Sequence, residues 1–174
     1  MSRPCPRLCI AGTGSGVGKT SFTLGLVRSL SRRGRRVQTF KVGPDFLDPT
    51  HLALASGRSC YNLDGWMTGR AYVGQLFHRT TQDADVAIIE GAMGLFDGAS
   101  PSSREGSTAE IALWLNAAIL LVVNAHGVGR SVAAMVKGYA EFDPAIHLAG
   151  VIANHTGGDR HKSWIEESLR SAGL

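Results

Sequence analysis

Five short, largely apolar runs punctuate the chain: Leu8-Cys-Ile-Ala11, Val37-Gln-Thr-Phe40, Val86-Ala-Ile-Ile89, Ala118-Ile-Leu-Leu-Val-Val123 and Leu148-Ala-Gly-Val-Ile152. Strands with one wet face alternate apolar and polar residues, whereas continuous runs mark strands covered on both faces. Between them apolar residues recur at helical spacing: Phe22, Leu26, Val27 and Leu30; Val73, Leu76 and Phe77; Ile111, Ala112 and Leu115; Val132, Met135 and Val136. Strand and helix in alternation predict an α/β fold, a doubly wound and mostly parallel sheet with helices on both faces. A last helix is expected over Asp159–Ala172, with Trp164, Ile165 and Leu169 on its apolar face. A further strand should follow it, so residues 1–174 read as one domain that is incomplete at its C-terminal end.

Composition fits an ordered domain. Hydrophobic residues make up 44% and charged residues 18% of 174, too apolar a balance for a disordered chain. The net charge of +4 is concentrated near the N-terminus, where Arg32-Arg33-Gly34-Arg35-Arg36 ends a helical pattern. Cations suit the negative end of a helix and Gly34 suits a left-handed cap, so this cluster reads as a helix end rather than a nucleic-acid patch. Three cysteines, Cys5, Cys9 and Cys60, lack the spacing of a zinc site or a disulfide framework, which predicts a reducing, cytoplasmic setting. The longest apolar stretch, Ile111 to Ala125, is broken by Asn116 and too short for a membrane helix.

The first run leads into Gly12-Thr13-Gly14-Ser15-Gly16-Val17-Gly18-Lys19-Thr20-Ser21 and then a helix. Glycines let backbone N–H groups approach phosphate oxygens, Lys19 can neutralise β/γ charge, and the Thr20 hydroxyl can ligate Mg²⁺. The pattern is a variant of the phosphate-binding loop, with the opening glycine one residue early. A dinucleotide fingerprint fits worse, since it wants an acid closing the second strand, where Phe40-Lys41 stands. The expected ligands are ATP and Mg²⁺.

The third run ends in Glu90, an acid at a strand terminus and a natural second metal ligand. Asp45 and Asp48 follow the second strand between Pro44 and Pro49; their spacing allows either a place at the metal and substrate site or an ordinary turn. Ser107-Thr-Ala-Glu110 is a capping box, whose helix N-terminus could also hold an anion. None of the six histidines shows metal-ligand spacing.

Several longer segments resemble the synthetase domain of the cobyrinic acid a,c-diamide synthases: Phe40-Lys-Val-Gly-Pro-Asp-Phe-Leu-Asp-Pro49, Asn62-Leu-Asp-Gly-Trp-Met67, Glu90-Gly-Ala-Met-Gly-Leu-Phe-Asp-Gly98, Gly106-Ser-Thr-Ala-Glu-Ile-Ala112, Arg130-Ser-Val-Ala-Ala134 and Gly150-Val-Ile-Ala-Asn154. The resemblance covers nearly the whole chain and implies a fold similar to dethiobiotin synthetase. It further implies an ATP-dependent amide ligase: γ-phosphate moves to a substrate carboxylate, and ammonia displaces it to give an amide at two acetate side chains of the corrin ring. By resemblance Lys19 and Thr20 hold phosphate and Mg²⁺, and Asp45 and Glu90 complete the metal site. Lys41 stabilises the transferring phosphate, while Asp48, Asp97 and Ser107 orient the substrate or the phosphoryl group. No protein nucleophile is required. Family members carry a C-terminal glutaminase domain that supplies ammonia, and nothing in residues 1–174 corresponds to it. The partners implied are a corrinoid polycarboxylate and that glutaminase domain, with a homodimer left open and neither nucleic acid nor membrane expected.

Two rival readings share this loop. One is a nucleotide-switch ATPase of the ParA/MinD kind, which carries an extra loop lysine where Gly14 stands here. The other is the related amidase acting on nickel sirohydrochlorin, which has much of the same pattern.

Overall fold

The computed structural model describes residues 5–174 and shows strand and helix in alternation. Strands β1 (Arg7–Gly12), β2 (Val37–Val42), β3 (Tyr61–Leu63), β4 (Val86–Glu90), β5 (Ala118–Asn124) and β6 (Leu148–Asn154) form one parallel sheet in the order β3-β2-β4-β1-β5-β6. Helices α1 (Lys19–Arg32), α2 (Asp48–Ser56), α3 (Gly65–Thr81), α4 (Thr108–Trp114), α5 (Ser131–Glu141) and α6 (Asp159–Ser171) cover its two faces.

Side chains along the central strand alternate between two cores. Cys9 and Ala11 belong to the larger one, with Phe40, Ile89, Leu121 and residues of α3, α4, α5 and α6, whereas Leu8 and Ile10 join Val27, Val37, Ile88 and the α1 side. A strand apolar at every position therefore has a use for each side chain, the reason its sequence runs unbroken rather than alternating. Each fully buried aliphatic residue contributes about 1.5–3 kcal/mol relative to exposure.

The five expected strands are all present. Two elements were not anticipated. Asp48-Pro49, for which an ordinary turn is one of two readings, opens α2, where proline sits in the first turn and loses no intrahelical hydrogen bond. The second is β3, a three-residue edge strand against β2. Arg32 ends α1 and Gly34 adopts φ 76°, so the basic cluster is a helix terminus as expected. Among the described residues no helix is long and apolar enough to cross a membrane.

Strand order decides where chemistry can occur. β1 lies between β4 and β5, with β2 on the far side of β4, so the loops leaving the carboxyl ends of β1, β2 and β4 converge. Open α/β sheets bind ligands at this position.

Candidate active site

Register brings the first charged pair together. Lys41 on β2 is the parallel partner of Glu90 on β4, and Glu90 is in turn the partner of Ile10 on β1, two residues before the glycine loop begins. Lys41 Nζ lies 2.9 Å from Glu90 Oε1 and 2.7 Å from Asp48 Oδ2, which α2 presents from its first residue. The Thr20 hydroxyl donates to the same Glu90 oxygen at 2.6 Å. Residues from the starts of α1 and α2 and the ends of β2 and β4 thus share one polar cluster.

Burial sets its electrostatics. Glu90 is fully buried, and burial raises its pKa despite the Lys41 and Thr20 contacts. Burial opposes the Lys41 ammonium too, but Glu90 and Asp48 outweigh it and its pKa is raised. Asp48 is pulled below the ordinary carboxylate value because the Lys41 contacts outweigh its own desolvation.

Lys19 is different. It is buried, and its ammonium donates to two neutral carbonyls, Gly14 at 2.8 Å and Met93 at 2.6 Å, with no carboxylate in salt-bridge range among the described residues. Burial and the nearby Lys41 charge lower its pKa. A desolvated cation without a counter-ion is a ready anion site. The loop around it supplies further donors. Gly16 and Gly18 have φ of 75° and 98°, a left-handed conformation that turns successive amides toward one concavity at the start of α1.

Three contacts hold the loop. Tyr139 Oη donates to the Thr13 carbonyl at 2.8 Å, Asn154 Nδ2 donates to the Val17 carbonyl at 2.9 Å, and Leu95 N–H donates to the Gly12 carbonyl at 2.8 Å. Met93 sits at φ 48°, a strained conformation for a side-chain-bearing residue, and this presents its carbonyl to Lys19. Neither the Tyr139 contact nor the Met93 backbone has a signature in the sequence, because both depend on elements far apart in the chain.

The remaining candidates lie nearby in different roles. Asp45 Oδ1 accepts the N–H groups of Leu47 and Asp48, closing the turn into α2, and its other oxygen is 3.9 Å from Lys41 Nζ. Asp97 accepts the Gly94 N–H at 2.8 Å and lines an open cleft of about 1610 Å³, whose wall includes Met93, the residue that accepts from Lys19. Ser107 is fully buried and its hydroxyl accepts the Glu110 N–H, capping α4, while Glu110 reaches back to the Gly106 N–H. Ser15 and Ser21 lie exposed on the loop and the first turn of α1.

Glu90 Oε2 is buried and has no hydrogen-bond partner among the described residues. With the Thr20 hydroxyl it forms a pair of hard oxygen donors, the set Mg²⁺ takes when phosphates and water complete its shell. No trio of His, Cys, Asp or Glu among the described residues could chelate a metal unaided.

Residues 8–173 match the family model described as CobQ/CobB/MinD/ParA nucleotide binding domain. The chain belongs to that family. It is 68% identical over 170 residues to a cobyrinate a,c-diamide synthase of Syntrophotalea carbinolica, a match covering 98% of this chain and 37% of that protein. It is 44% identical over 169 residues to a hydrogenobyrinate a,c-diamide synthase of Streptomyces coelicolor, covering 97% and 35%. The chain therefore spans just over a third of the length of these curated relatives. Among solved structures it is similar to the signal recognition particle receptor FtsY of Elizabethkingia anophelis, with a TM-score of 0.65 and 18% identity over 98% of this chain and 56% of that one. The Signal Recognition Particle 54 kDa protein of Aeropyrum pernix gives a TM-score of 0.62 and 16% identity, over 100% and 41%. At such identities the structural likeness is one of fold.

Proposed function

We propose that the chain is the ATP-dependent synthetase part of a cobyrinate or hydrogenobyrinate a,c-diamide synthase of cobalamin biosynthesis, a carboxylate–amine ligase of the glutamine amidotransferase kind working in the cytoplasm. The observation that carries this reading is the 68% identity across 98% of the chain to a protein of that name. Local geometry supports it: a buried lysine of the glycine loop, without a carboxylate partner among the described residues, stands beside a lysine–carboxylate cluster and contacts Met93 on the wall of an open cleft.

A carboxylate is a poor electrophile. Transfer of the ATP γ-phosphoryl group to one of its oxygens, with ADP leaving, supplies the missing leaving group. Ammonia then attacks the acyl carbon, phosphate departs and a proton is lost, giving the amide. Lys19 and the loop amides bind the β- and γ-phosphates. Lys41 offsets charge on the transferring group, and Glu90 with Asp48 fixes its ammonium. Asp45 holds the turn that presents Asp48, and Asp97 faces the cleft where the acceptor carboxylate would lie. Ser107, through its cap, sets the start of α4 at the cleft wall. Mg²⁺, held by Thr20 Oγ1 and Glu90, would draw charge off the phosphates. Ammonia would come from glutamine through a glutaminase domain outside residues 1–174.

The test is ADP release from Mg-ATP and ammonium with cobyrinate, with hydrogenobyrinate or with neither, using Lys19→Ala as control. Corrinoid-dependent turnover lost in the control is the expected result and also chooses the substrate. ATP hydrolysis indifferent to either compound would overturn the reading and favour a nucleotide switch.

A further inference from the structure

The cleft is lined by two arginines in opposite circumstances. Arg104 is locked to Asp143 through Nε and Nη2. Arg70 is exposed and, among the described residues, has no ion-pair or side-chain hydrogen-bond partner. The acids of the lining are largely engaged: Asp143 with Arg104, Asp97 with the Gly94 N–H and Glu110 with the Gly106 N–H, while the Glu105 carboxylate has no partner among the described residues. In the separate polar cluster, Lys41 is paired with Glu90 and Asp48.

Backbone geometry puts Arg70 at a special place. Helix α3 is broken at Gly69, whose φ of 76° and ψ of 164° lie outside the helical region. A Cβ there would meet nothing within 4 Å, so the demand for glycine comes from the dihedral and not from space. The break starts a new helical segment at Arg70. A guanidinium without a partner among the described residues thus stands on the cleft wall, directly after the kink.

We propose that Arg70 binds a peripheral carboxylate of a polycarboxylate seated in the cleft, a carboxylate other than the one being phosphorylated. The proposal rests on the synthetase reading above and names the residue through which the acceptor is recognised. Guanidinium and carboxylate pair through two parallel hydrogen bonds, which fixes orientation as well as charge and would set which acetate arm points at the phosphate loop.

The experiment is steady-state kinetics of the full chain with ammonium, varying cobyrinate and ATP separately. Arg70→Ala should raise KM for cobyrinate by about 10- to 100-fold, the range of a charge-assisted hydrogen bond, with kcat and KM for ATP within about twofold. Arg70→Lys should recover part of the loss, since it keeps the charge and loses the fork. Equal KM for cobyrinate in wild type and Arg70→Ala would overturn the inference while leaving the synthetase reading intact. A parallel rise in KM for ATP, or a lowered Tm, would make Arg70 structural and overturn it too. Wild type without corrinoid-dependent turnover would overturn the reading itself and the inference with it.

Discussion

Lys41 Nζ lies 2.9 Å from Glu90 Oε1, the two residues facing each other in register on β2 and β4. Glu90 is fully buried, so the ammonium is its principal compensation. Lys41→Met removes a charge and leaves a buried carboxylate with only the Thr20 hydroxyl. Removing one partner of a buried pair costs about 3–5 kcal/mol. Thermal unfolding should show a clear drop in Tm for Lys41→Met, and the double variant Lys41→Met/Glu90→Gln should recover much of it. A double variant no more stable than the single one would mean that the pair is not what holds β2 to β4 at this point.

Glu90→Gln should uncouple stability from activity. Burial raises the folded-state pKa of Glu90 above its ordinary value of 4.5, so the folded protein binds the proton more tightly than the unfolded chain. Stability from this group is therefore complete below pH 4.5 and falls as pH rises through the raised folded-state value. Glutamine cannot ionise. The difference in Tm between variant and wild type should shift in the variant's favour from pH 4.5 upward, while ATP turnover should fall by about 100-fold or more on the proposal that this carboxylate helps hold Mg²⁺. A flat difference across that range would count against the raised pKa.

Sequence patterns revealed the centre of this fold better than its edges. β1, β4 and β5 are buried on both faces, so nearly every side chain in them had to be apolar, and the pattern is visible without knowing the partners. β3 has three residues, one of them fully buried, too little to stand out from a loop. Asp48-Pro49 carries the signals of both a turn and a first helical turn, and tertiary contact with Lys41 and Thr20 accompanies the helical choice. The glycine loop and Glu90 were legible because one lies at a strand-to-helix junction and the other at a strand end. The Tyr139 and Asn154 contacts were not, since they span 126 and 137 residues of chain to reach carbonyls that any sequence would offer.

Tyr139 links the loop to the cleft. Its hydroxyl donates to the Thr13 carbonyl, and its ring stacks on Phe96, 5.6 Å between centroids, which in turn meets Phe142 on the cleft wall at 4.8 Å. Tyr139→Phe keeps the stack and removes one hydrogen bond. The expected loss is about 0.5–1.5 kcal/mol of stability, with a rise in KM for ATP larger than any change in kcat, because the variant loosens Thr13, the second residue of the loop, without touching the proposed reacting groups. Isothermal titration with a non-hydrolysable ATP analogue would check it. Unchanged affinity would assign the hydroxyl to packing alone.

Gly18 combines two demands that a side chain cannot meet. Its φ is 98°, and a Cβ would stand 2.1 Å from Asn154 Nδ2, the atom that ties β6 to the Val17 carbonyl. Gly18→Ala must therefore hold a strained backbone, costing about 1–3 kcal/mol, and also push Asn154 out of its hydrogen bond. Asn154→Ala alone should cost only the hydrogen bond, about 1 kcal/mol. In the double variant the collision is gone but the dihedral strain remains. The two losses should then sum to more than the double variant shows, with a coupling of about 0.5–3 kcal/mol read from denaturant unfolding. Nucleotide affinity should stay low in both variants that carry Gly18→Ala, since strain acts on the loop amides proposed to bind the phosphates. Full recovery of affinity in the double variant would show that the steric contact, and not the left-handed turn, is what glycine serves there.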